Sequence, residues 1–339
     1  MIHLRVIAPA EQADQAIALM RRSSSVTNLV AQRGVALEPA GDVISCDVAE
    51  EDASLIVGDL RRLGIAESGS IDIERLDATV SRRAAAAEHA ARGAPGDAVI
   101  WEHVARQVSD QGYLSWGLVA LFSLSGVIAA IAILIDSAPI VVGAMAVSPD
   151  FAPLAAFAIG TVRLRADIAG SGFLSLVLGF TCAIALAGLT VELLKRVGVA
   201  PSAFSREGNA LATSIAAPDA FSVVVALCAG AAGMLSVTLG RSSALVGVAI
   251  SITTIPAAAD IGLSTAYGDW EAFGGSGRQL ALNVAGLLIA STVTLALQRV
   301  VYRRRLARHR ALMGRGEGLD GVGDEVLPPG RSGEGPGAG

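Results

Sequence analysis

The sequence predicts two domains of different class: a small α+β domain at the N-terminus, in ferredoxin-like βαββαβ order, and an α-helical integral membrane domain behind it. Three observations carry this expectation. Residues 1–76 alternate short runs of strand period with runs of helical period. The chain beyond residue 113 is a succession of apolar stretches of about 20 residues, the length that crosses about 30 Å of hydrocarbon. Two of those stretches, 139–162 and 244–264, are broken by proline near the middle. An internal proline costs a helix about 3 kcal/mol, and lipid offers the freed backbone groups no partner.

Composition agrees. Hydrophobic residues make up 53% of the 339 and charged residues 17%, whereas a soluble domain averages about 25% charged. Mean hydropathy is +0.57. The net charge of −5 argues against a nucleic-acid partner, which wants a basic face. Cys46, Cys182 and Cys228 are far apart with no CxxC or Cys/His spacing. Neither a disulfide framework nor a metal site is expected, and no cofactor.

In the N-terminal domain (1–76), 2–8 reads as a strand, 10–22 as a helix and 25–34 as a second strand. A turn at Ala40-Gly41 precedes a third strand over 42–49. Residues 50–63 read as a helix ending at Gly64, with Leu55, Ile56, Leu60 and Leu63 near one face, and 70–75 as the fourth strand. No phosphate loop, catalytic cluster or metal motif occurs, so a sensing, regulatory or assembly role is expected. The opening MIHLRVIAPAEQADQ lacks the layout of a signal peptide, which places this domain in the cytoplasm. A linker (77–113) follows: an alanine-rich helix over 78–92, a Gly-Ala-Pro-Gly hinge at 93–96 and an amphipathic helix over 97–112.

The membrane domain (114–302) is expected to hold six spans: 114–135, 139–162, 168–194, 219–239, 244–264 and 279–300. With the N-terminus inside, Arg163, Arg165, Arg241 and the arginines from Arg299 onward all fall on the cytoplasmic side. That predicts a multi-pass protein of the cytoplasmic (inner) membrane with both termini inside. The link 195–218 carries Lys195, Arg196 and Arg206 on the outer side, as a loop or an interfacial segment. Over 303–339, Arg303, Arg304 and Arg305 are expected to anchor to anionic headgroups, ahead of a disordered acidic tail. The bilayer is thus one partner. A second copy is another, because Gly179, Ala183 and Ala187, like Gly286, Ala290 and Thr294, form small-residue rows that pack helices closely.

Shifting the first three spans by 104 residues lays them over the second three: Gly126 meets Gly230, Val142 meets Val246 and Gly143 meets Gly247. An odd number of spans per unit makes this an inverted-topology repeat, a plan of secondary transporters. Ser148-Pro149 or Ala152-Pro153 can start a half-helix, and so can Thr254-Ile255-Pro256. The pathway candidates are Ser148, Pro149, Asp150, Pro153, Thr253, Thr254, Pro256 and Asp260. Intramembrane carboxylates are costly and tend to face the bundle interior. Asp150 either serves a pathway or caps the half-helix. Asp260 serves a pathway or lies at an interface or near the outer surface. The serine and threonines alternatively satisfy freed carbonyls.

Residues 125–160, 204–233 and 244–263 together resemble a bacterial and archaeal membrane family, DUF389, a domain of unknown function. The carrying positions are Gly143, Ala144, Met145, Pro149 and Pro153; Ser205 and Arg206; and Gly247, Val248 and Pro256. The family commonly has a proline pair where only Pro256 stands, and an apolar residue in place of Asp150. The resemblance implies a multi-span membrane protein with no assigned substrate. The expected function is a transporter or channel for a small solute or ion, with a cytoplasmic regulatory domain. A membrane-anchored sensor or scaffold is the alternative. An enzyme is not expected, since all four histidines lie outside the spans.

Overall fold

The computed structural model describes residues 1–76, 78–91, 114–217, 219–239 and 254–314. The predicted helix over 97–112, the tail beyond Gly314, and Thr253 lie outside the described residues. The chain divides into two compact units. One contains Met1–Ala49, Leu55–Ala91 and Tyr302–Gly339, the other Glu50–Ser54 and Arg92–Val301.

The N-terminal unit holds a four-stranded antiparallel sheet. Its strands are β1 (Ile2–Ala8), β2 (Val26–Leu37), β3 (Ala40–Val48) and β4 (Ser70–Arg75), in spatial order β2-β3-β1-β4. Helix α1 (Ala10–Arg21) follows β1, and α2 (Glu50–Arg62) follows β3. Strand alternation drives the core: Ile2, Leu4 and Val6 of β1 and Ile44, Cys46 and Val48 of β3 are buried, as are Ala13, Ala16, Ile17 and Met20 of α1. Burial pushes the Cys46 thiol up to about 12.

The structure refines several boundaries. The β2–β3 turn falls at Glu38-Pro39 rather than Ala40-Gly41, so β2 runs three residues past Gly34 and Ala40 pairs with Leu37. Pro39 has no N–H to give the ladder, which suits the turn better than a strand. Gly64 ends α2 region with φ 78, a left-handed value that glycine takes without strain. A single turn, α3 (Ile65–Ser68), then precedes β4, and the alanine-rich stretch becomes α4 (Arg82–Ala90).

The second unit is helical. Its elements are α5 (Trp116–Leu134), α6 (Ala138–Val147), α7 (Phe151–Arg163), α8 (Ala166–Val197), α9 (Ala210–Ala216), α10 (Ala220–Thr238), α11 (Thr254–Tyr267) and, as far as Val301, α12 (Trp270–Gly314). Helices α5, α8, α10 and α12 are each long and apolar enough to cross a membrane. The pair α6 and α7, bent by 46°, adds a fifth apolar crossing if it forms one span. The 139–162 stretch therefore breaks where the prolines predicted. Helix α12 starts nine residues before the expected 279 and runs on through Arg303, Arg304 and Arg305 to Gly314, with no proline along its length to stop it.

Local features recur at one sequence offset across this unit. Helices α5 and α10 have corresponding ends. Each is capped by its preceding side chain: Ser115 Oγ accepts from the Leu118 amide at 3.2 Å, and Asp219 Oδ1 from the Ser222 amide at 2.8 Å. The α7–α8 turn is made by Leu164 (φ 58), with the Arg165 amide donating to Gly160 O at 2.8 Å. The α11–α12 turn repeats it at Gly268 (φ 72), with the Asp269 amide donating to Ser264 O at 2.9 Å. The predicted small-residue packing recurs too. A Cβ on Gly126 would lie 2.9 Å from Ala183 O, and one on Gly230 2.8 Å from Leu287 O.

Candidate functional site

The break between α6 and α7 is built by residues 148–150. Ser148 leaves the helix with extended φ/ψ. Pro149 follows, and Pro153 sits in the first turn of α7, where a missing N–H costs nothing. Asp150 stands at the N-cap position with helical φ/ψ, but its side chain makes no capping hydrogen bond. It is 3% exposed, and its Oδ2 accepts from Thr254 Oγ1 at 2.5 Å. Those two residues are 104 positions apart, the offset at which the helix ends, caps and turns recur. Ser148 Oγ is buried without a hydrogen-bond partner among the described residues.

Asp260 has a different setting. It is 0% exposed. It accepts from Ser276 Oγ at 2.5 Å and from Arg206 Nη2 at 3.1 and 3.2 Å. Arg206 also donates to Ser264 Oγ at 2.8 Å, to Ala212 O at 2.8 Å and through Nε to Asp269 Oδ2 at 2.8 Å. Burial acts to raise the Asp269 carboxyl, but hydrogen bonds from Arg206 and the Ala272 amide outweigh it and hold it below the ordinary carboxylate range.

The 195–218 link is thus fastened to the helices. Asn209 donates to Ile133 O at 2.7 Å while its Oδ1 caps α9 at 2.7 Å. Asp136 accepts from the Leu211 amide at 3.1 Å, and Leu211 packs on Ala132, Val141 and Met145. Tyr267 donates to Pro201 O at 2.8 Å. Arg206 is the residue that spacing arguments missed. Its signals were its place among the positions that carry the family resemblance and its charge within the 195–218 link.

Two further cations reach across the unit. Lys195, near the end of α8, donates to Ala266 O at the end of α11 at 2.5 Å. Arg299 of α12 donates to Val162 O at the end of α7. At the common offset Lys195 corresponds to Arg299 and Val162 to Ala266, so each bond exchanges the partners of the other. Both satisfy carbonyls that a helix end leaves open.

Of the sequence candidates, Asp150 and Thr254 come together, and Pro153 packs against Gly172, whose Cβ would lie 2.7 Å from Pro153 O. Asp260 belongs to a separate, Arg206-centred cluster. Pro256 is buried in the first described turn of α11. Arg303 and Arg304 are exposed. Among the described residues no group of His, Cys, Asp or Glu could hold a metal.

Four helices long and apolar enough to cross a membrane, with a bent apolar pair beside them, are the marks of a multi-pass helical membrane protein. Residues 145–289 match the DUF389 family model, a domain of unknown function, so the resemblance holds over that stretch. No curated protein and no solved structure matches the chain.

Proposed function

We propose that this chain is a transporter or channel for a small solute or ion. In this reading it has six spans arranged as two inverted three-span repeats, and a cytoplasmic ferredoxin-like domain regulates it. The observation that carries the reading is the Asp150–Thr254 hydrogen bond, which joins offset-equivalent positions, one of them at a helix break. Two halves related by a two-fold axis touch at equivalent residues only near that axis. Away from it, contacts come in exchanged pairs, as Lys195–Ala266 and Arg299–Val162 do. Inverted repeats put the substrate site at their interface near midplane, beside broken helices. Pro149, Pro153 and Pro256 shape that region, and rocking of one repeat against the other opens it to either side. The strand order β2-β3-β1-β4 supports the ferredoxin-like assignment.

The test is reconstitution of the full chain into vesicles, with flux followed for inorganic ions and small solutes. Transport above protein-free vesicles that falls at least about tenfold in Thr254→Val or Pro149→Ala supports the reading, a loss of about 1.4 kcal/mol. Absence of flux across the panel favours a membrane-anchored sensor or scaffold. The glycine-mediated backbone contacts of α8 with α5 and α11 fit that second reading.

A further inference from the structure

We propose that Asp150 binds a proton, and that the proton is the ion coupled to movement of the two halves. This rests on the transporter reading and adds the driving ion to it. The structure offers an internal comparison. Asp150 and Asp260 are 3% and 0% exposed, yet they are served differently. Asp260 has the Arg206 guanidinium as counter-charge and a serine hydroxyl as second donor. Asp150 has the Thr254 hydroxyl and no cation among the described residues. An ionised carboxylate without a counter-charge is the costlier form in apolar surroundings, and a proton removes the charge in place. The two carboxylates of the unit thus differ in what stands ready to balance a charge: a guanidinium at Asp260, a hydroxyl at Asp150.

The neighbouring elements bear this out. Helix α6 carries no titratable group, and α10, whose Gly233 meets Phe151, carries Cys228, which is exposed. On α7 the charge is Arg163, at its far end. Helix α8 reaches Pro153 through Gly172. Its Asp167 is held by Arg165, and its Glu192, Lys195 and Arg196 lie near the other terminus. On α11 the charge is Asp260, held by Arg206. Helix α12 meets the end of α7 through Arg299, and its Glu271 and Arg278 lie in its first turns. Arg241 lies outside the described residues and is therefore given its own arm in the test. The Thr254 hydroxyl donates to Oδ2 whether Asp150 is charged or neutral, leaving the second oxygen to take the proton. Because Thr254 and Asp150 belong to opposite halves, relative motion of the halves breaks that bond. Motion would then change the solvation of the carboxyl and its hold on the proton. A proton-binding group must gain and lose water in this way to couple.

The experiment is infrared difference spectroscopy of the full chain in liposomes, titrated from mildly acidic to alkaline pH. The expected result is the carbonyl stretch of a neutral carboxyl at neutral pH, absent in Asp150→Asn and retained in Asp260→Asn. Asp150→Glu keeps a carboxyl at the site and is expected to shift the band rather than abolish it, which covers the case that Asp150→Asn fails to fold. A wild-type spectrum without the band overturns the proposal, as does a band unchanged in Asp150→Asn. A band that emerges only in Arg241→Gln also overturns it, by showing that Asp150 is ion-paired. The readout does not require flux. A band without transport would sink the transporter reading, whereas transport without a band would sink the proton alone.

Discussion

Replacing Arg206 by methionine tests how the 195–218 link is held. The guanidinium makes contacts with Asp260, Ser264, Asp269 and Ala212 O. These are not equal losses. The Asp269 side chain retains 36% of its exposure and can be rehydrated. Asp260 is 0% exposed and cannot. Removing one partner of a buried ion pair strands the other charge, at about 3–5 kcal/mol. Arg206→Met is therefore expected to cost about 3 kcal/mol or more, most of it at Asp260. Asp260→Asn is expected to cost less, about 1–2 kcal/mol, because Asn can still accept from Ser276 and Arg206 keeps Asp269. The double variant should be more stable than the sum of the singles predicts, with a coupling of about 2 kcal/mol. Denaturant titration of the full chain in mixed micelles measures all three, and hydrogen exchange should rise over 198–217 in Arg206→Met. A single-variant cost within about 0.5 kcal/mol of zero, or strict additivity, would refute the argument that Arg206 neutralises Asp260.

Two other outcomes follow from the same structure. Gly126→Val and Gly230→Val each press a side chain onto backbone, at Ala183 O and Leu287 O. Each should destabilise by about 1–3 kcal/mol in the same titration, while Gly143→Ala, which has nothing within 4 Å, should not. In the N-terminal unit, the Gly34 amide and Arg33 hold the Asp42 carboxyl below its ordinary 3.8. A lowered folded value gives stability that is present above the unfolded value and lost as pH falls through the folded one. Asp42→Asn should therefore speed hydrogen exchange of the β2–β3 hairpin at neutral pH. The difference from wild type should close as pH falls below the ordinary carboxylate range and through the lowered folded value, and a difference that persists once Asp42 is protonated would contradict this.

Much of the fold was legible because it depends on local signals. Apolar length located α5, α8 and α10 to within a few residues, and Pro149 and Pro153 located the bend, since each acts on its own backbone. Alternation located the four strands, and small-residue rows located the close helix contacts. The turn at Glu38-Pro39 was missed because a glycine two residues on gave a competing turn signal. The early start of α12 was missed because Gly274, Gly275 and Gly277 read as a loop, yet Gly275 sits in a helix whose backbone meets Ala216 too closely for a Cβ.

The sequence by itself determined which segments are apolar, where they break and which positions correspond at the common offset. Those properties belong to short stretches of chain and to their periodicity. Only the tertiary structure decided what each carboxylate faces. Asp150 and Asp260 look alike in sequence, one directly after a proline and the other a helical turn past one, each in an apolar run. The fold brings Arg206 to Asp260 across 54 positions and leaves Asp150 to a threonine 104 positions away. A charge buried in low dielectric takes its character from whatever packing sets beside it, and no local pattern encodes that neighbour.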